Sequence, residues 1–123
     1  MTKEKTYQEV YDEFIKDYNS GSTTGETVGY TVALMAQYFG MQNLSVVQAE
    51  SIYAKKAAEI EMKVDDNGKA ISSAKAKIVV EATPEAELRR TAQAHLSNIE
   101  TYINAMKALQ KGILNEFAHM GVS

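Results

Sequence analysis

Residues 84–120 read PEAELRRTAQAHLSNIETYINAMKALQKGILNEFAHM. Gly112 is the one residue after Pro84 that disfavours a helix, and one apolar stripe runs nearly throughout. It comprises Ala92, Leu96, Ile99, Ile103, Met106, Gln110, Ile113, Phe117 and Met120. Steps of four and three alternate, the seam spacing of a helix packed lengthwise on another, as in a coiled coil. The start is chemically specified. Thr83 is the N-cap, Pro84 takes the first helical position, and Glu85 and Glu87 face the positive end of the helix dipole.

The segment predicts a helix of about 36 residues, about 54 Å long at 1.5 Å per residue. A compact globule of this chain length is only about 35 Å across. Gly112 must bend or break the helix, or the molecule is elongated, or the helix lies against another subunit. Gln110 is a polar amide at a seam position, a device that fixes register or oligomer state. Alternatively Leu109 turns inward there and Gln110 points out.

Immediately before this segment lies an ambiguous stretch. Ile60, Met62 and Val64 alternate with charged residues, and Asp66-Asn67-Gly68 is a strong hairpin turn signal. These features describe a β-hairpin over 59–80 and an α+β fold. Ala57, Ile60 and Val64 equally continue a helix from the N-terminal side, and Gly68 suits a helix C-terminus. Ser72 can then cap a short helix from Ser73 to Ala82, with Ile71, Ala74, Ile78 and Ala82 on one face. The alanine and lysine content favours this helical reading, and with it an all-α fold.

Further out, Ser45 can cap a helix with Gln48 at the capping-box position. Its apolar positions, Val46, Ala49, Tyr53, Ala57, Ile60 and Val64, form a second seam and a natural partner for the C-terminal stripe. Gly40-Met41-Gln42-Asn43 separates it from a nearly uncharged helix over about Glu26 to Phe39. A helix apolar nearly all round is expected to be buried on several sides, at the centre of the fold or at a subunit interface. Gly25 and Gly29, four apart, permit a close helix approach. Thr6 to Asn19 reads as an amphipathic helix, with Tyr7, Tyr11, Phe14 and Tyr18 on one stripe and Val10 and Ile15 beside it. The expected architecture is an elongated all-α bundle, one helical domain over 1–123. It pairs two N-terminal helices (1–40) with a helical hairpin (44–120).

A partner helix of about 20 residues cannot cover the C-terminal stripe. The sequence therefore predicts a homo-oligomer, with Leu96, Ile99, Ile103, Met106, Gln110, Ile113 and Phe117 at the interface. The 123 residues carry a net charge of −3, too mild for a strongly basic nucleic-acid binder. The absence of cysteine excludes disulfides, thiolate catalysis and cysteine-bound metal. No apolar run follows the N-terminal Met1-Thr2-Lys3-Glu4-Lys5 and no stretch is apolar enough to span a bilayer, so a cytoplasmic protein without a membrane role is expected. Glu116 and His119 spell Glu-x-x-His, but a di-metal site needs a second copy, and Ala92 stands three residues before His95. No nucleophile, phosphate-loop or dinucleotide motif is present. The expectation is a non-enzyme without cofactor or metal. Lys69, Lys75, Lys77, Arg89 and Arg90 could form a modest phosphate-binding patch.

The stretch Gly68–Phe117, above all Ile71-Ser72-Ser73-Ala74-Lys75-Ala76, Ala82-Thr83-Pro84-Glu85 and Asn104-Ala105-Met106-Lys107-Ala108-Leu109-Gln110, resembles small helical accessory proteins of tailed bacteriophages. The resemblance implies a viral or mobile-element origin. It suggests an inhibitor docking on a host defence protein or an assembly component, with an accessory of phage replication or recombination as the alternative. No functional residue comes with it.

Overall fold

The computed structural model describes residues 4–120, with side chains described as far as Glu116. Four helices follow in order: α1 (Tyr7–Asn19), α2 (Gly25–Glu61), α3 (Ser73–Glu81) and α4 (Pro84–Met120). The fold is all-α, and the long C-terminal helix packs on the central helix α2.

Capping chemistry sets all four helix starts, α2 through the Thr24 hydroxyl, which accepts from the Thr27 N–H at 3.2 Å. At α1 the Thr6 hydroxyl accepts from the Glu9 N–H at 3.2 Å, and the Glu9 carboxylate accepts from the Thr6 N–H at 3.3 Å, a capping box. Ser72 accepts from the Lys75 N–H at 3.2 Å at the start of α3. Thr83 accepts from the Ala86 N–H at 3.2 Å, as expected for the cap of α4.

The two helices expected on either side of Gly40 are one. α2 runs 37 residues without interruption, and Ser45 caps nothing: its hydroxyl bonds back to the Met41 carbonyl at 3.3 Å, one turn earlier. A glycine inside a helix costs only about 1 kcal/mol relative to alanine. Buried anchors stand on both sides, Met35 before Gly40 and Val46 after it, so that cost is readily outweighed. Gly112 likewise leaves α4 unbroken over its 37 residues. α2 is also not buried on all sides. Val28 and Met35 are, but Tyr30, Ala33, Ala36 and Gln37 are exposed.

Between α2 and α3 both sequence signals leave a mark. The Asp65 carboxylate accepts from the Asn67 and Lys69 N–H groups at 2.9 and 2.8 Å, and Gly68 takes φ +77, which favours glycine. Strand pairing ends after the single antiparallel bridge Val64–Ala70. Met62 and Val64 are exposed, so the alternating pattern finds no second layer to bury against. Val64 thus lies beyond the seam of α2. On α3 the buried residues are Ala76 and Val80, not the expected Ala74, Ile78 and Ala82, because the 76/80 pair meets Ile60 of α2.

Two compact units divide the chain: residues up to Gly40 with those from Ser97 onward, and Met41–Leu96. The first unit has Val10 and Phe14 of α1, Val28 and Met35 of α2, and Met106 of α4 as its core. The Tyr11 and Tyr102 rings stack at 4.0 Å between centroids, and the Tyr102 hydroxyl donates to Gln8 Oε1 at 2.6 Å. Gly25 and Gly29 do admit a close approach. A Cβ at Gly29 would stand 3.3 Å from Gln110 Nε2, and one at Gly25 would stand 3.9 Å from Ile113 Cγ2. In the second unit Val46 and Ala49 pack on Ala92 and Leu96, while Ile60, Ala76 and Val80 close a further cluster with Tyr53 and Ala57.

Candidate interaction surface

The seam residues of α4 are engaged within the chain. Ile99 and Met106 are fully buried. Ile103 and Ile113 pack on the core of the first unit, and Leu96 packs on Val46 and Ala49. Gln110 and Leu109 both turn inward: Leu109 joins the core, while Gln110 Nε2 approaches the Gly25 carbonyl at 3.5 Å. The Phe117 and His119 side chains lie outside the described residues. A covering helix of about 20 residues would leave much of this seam open to a second subunit, but α2 is as long as α4.

The basic residues divide into two groups. Arg90 pairs with Glu81 and Arg89 lies over the Tyr53 ring, whereas Lys69, Lys75 and Lys77 are exposed. The Tyr53 hydroxyl donates to Glu81 Oε1 at 2.6 Å, and Arg90 Nη1 donates to Glu81 Oε2 and to the Glu81 carbonyl, both at 3.2 Å. The Arg89 guanidinium lies 4.4 Å over the Tyr53 ring, a cation–π contact. The Tyr53 hydrogen bond, assisted by the nearby cations, holds the Glu81 carboxyl below its ordinary value. The same bond, with burial, raises the Tyr53 phenol. This cluster clamps α2, α3 and α4 together in the second unit. Seam spacing placed Tyr53, but no sequence signal tied it to Glu81, which comes from a different helix.

On the second unit a groove of about 320 Å³ runs between α2 and α4. Gln48 and Ile52 of α2 and Leu88 and His95 of α4 line it over a floor of Ala49 and Ala92. Ile52 and Leu88 remain 42% and 48% exposed. Beside them on α2, Met41 is 64% and Leu44 60% exposed. Spacings of three and four put Met41, Leu44, Gln48 and Ile52 along one stripe. No Asp, Glu, Lys or Arg occurs between Glu26 and Glu50. The signal for this surface was that long uncharged run: one face of it satisfies the core and the remainder faces water.

Among the described residues no cluster of three or more His, Asp or Glu could hold a metal ion, and no helix is long and apolar enough to cross a membrane. Searches of family models, curated proteins and solved structures give no match for this chain.

Proposed function

We propose that this chain is a non-enzymatic interaction protein of phage type, which self-associates and binds a protein partner in the host cytoplasm. An inhibitor of a host defence system and an assembly component are the two roles of this kind. One observation carries the reading: an exposed, uncharged apolar stripe on α2 beside an open groove. Apolar surface concentrated on one face of a helix is the chemistry of helix-in-groove and helix–helix recognition. The alternative, an accessory of phage nucleic-acid metabolism, has exposed Lys69 and Lys75 in its favour. Against it, Arg89 and Arg90 are already engaged with Tyr53 and Glu81.

Affinity capture from a bacterial host lysate separates the two. The interaction reading expects a near-stoichiometric protein partner that stays bound in high salt, since apolar contacts are little screened. Nucleic acid retained at about 50 mM salt and released steeply by about 200 mM would overturn it in favour of the alternative.

A further inference from the structure

We infer that the occupant of the exposed α2/α4 face of the second unit is a second copy of this chain, docked by two-fold symmetry. The inference rests on the self-association in the reading above and assigns it to a surface.

Three features favour a second copy. A two-fold axis brings each patch against itself, so any charge near the axis meets its own like charge. Residues 41–49 of α2 carry none. Ser45 and Gln48 stand near the middle of the stripe, with Met41 and Ile52 at its ends. Hydroxyl and amide groups each donate and accept, so Ser45 of one copy can pair with Gln48 of the other on both sides of the axis, where two carboxylates or two ammonium groups would repel. The third feature is area. Met41, Leu44, Ile52 and Leu88, each about half exposed, leave on the order of 300 Å² of apolar surface per copy. Standard interfaces bury roughly 800 Å² per partner, and homodimer interfaces are about 65% apolar. These four residues thus supply more than half of the apolar area needed, and the polar rim of Ser45, Gln48 and Thr91 adds to it.

In an antiparallel arrangement Met41 of one copy faces Ile52 of the other. The expected dimer is of modest affinity and forms reversibly at micromolar concentration.

Analytical ultracentrifugation from about 1 to 500 μM tests this, with circular dichroism to verify folding. The wild-type chain should show concentration-dependent dimerisation. Leu44→Lys and Gln48→Lys should each raise Kd at least tenfold, the scale of a central interface residue. An equimolar mixture of Gln48→Lys and Gln48→Glu should recover a heterodimer, because opposite charges then lie less than one helical turn apart across the axis. A wild-type chain that stays monomeric to about 500 μM would overturn the proposal, while partner capture from the lysate would still stand or fall separately. A dimer untouched by both lysine variants would overturn this face and leave self-association to another surface. A cysteine-free chain permits an independent measurement that needs no charged variant. Ser45→Cys should oxidise to a covalent dimer far faster than Glu116→Cys, and equal rates would refute the assignment.

Discussion

Replacing Gly40 with alanine tests the continuity of α2. Gly40 is helical and exposed, and a Cβ there would meet nothing within 4 Å. The added methyl therefore causes no clash, and its effect is conformational. Alanine in a helix interior is favoured over glycine by about 0.8–1 kcal/mol, partly through the smaller freedom of the unfolded chain. For 123 residues at about 2.1 cal/mol/K each, the unfolding entropy near the midpoint is about 260 cal/mol/K. Gly40→Ala should then raise Tm by about 3–4 °C. Gly40→Pro should do the reverse. Its ring would collide with the Ala36 carbonyl and its nitrogen could not donate, a loss of at least about 3 kcal/mol. Thermal and urea melts followed at 222 nm measure both. If α2 were instead two helices joined at Gly40, alanine would be neutral or harmful and proline mild. Gly40→Ala lowering stability, or Gly40→Pro costing under about 1 kcal/mol, would refute the continuous helix.

The same substitution should change sign elsewhere: Gly68→Ala, at φ +77, should cost roughly 1–2 kcal/mol by the same melts. Gly29→Ala should gain less than Gly40→Ala, because its Cβ would stand 3.3 Å from Gln110 Nε2. A double-mutant cycle with Gln110→Ala should recover the difference, and strict additivity would show that the contact has no energetic weight. Met106→Ala removes a side chain with no solvent exposure and should cost about 2–5 kcal/mol, read from the denaturation midpoint. Glu81 has a folded-state pKa below its unfolded value, so its contribution is present above the ordinary carboxylate range and is lost as pH falls through the folded value. Glu81→Gln should therefore flatten the acid side of a Tm-versus-pH curve below about pH 4.5. An unchanged acid limb would show that the Tyr53–Glu81 clamp contributes nothing.

The helices were legible where two signals agreed. The Thr83-Pro84 start and the three-four seam of α4 specify the last helix, and Ala92, Ile99 and Met106 are buried as the seam requires. Glycine proved a poor guide to helix ends. Gly40 and Gly112 resemble punctuation in a sequence, but a cost of about 1 kcal/mol cannot stop a helix that is packed on both sides of the glycine. Taken as a break, Gly40 halves the apparent length of α2 and makes the α4 stripe look uncovered. The interaction surface was legible only as a surplus of uncharged residues, since spacing alone does not say which arc of a helix meets the core. The Tyr53–Glu81–Arg90 clamp was not legible, because hydrogen bonds between residues 28 apart leave no periodic trace.

The division of the chain has a consequence for its synthesis. The second unit is contiguous, Met41–Leu96, whereas the first is assembled from two separated stretches. Closing a loop of roughly 55 residues carries an entropy cost of about 3.5 kcal/mol, apart from a constant. The second unit can settle that closure early, with its own contacts, as the chain emerges from the ribosome. Phe14, Val28 and Met35 have no such option, because Met106 has not yet been made. During translation the N-terminal stretch is thus the exposed client, the part for which a nascent-chain chaperone would compete.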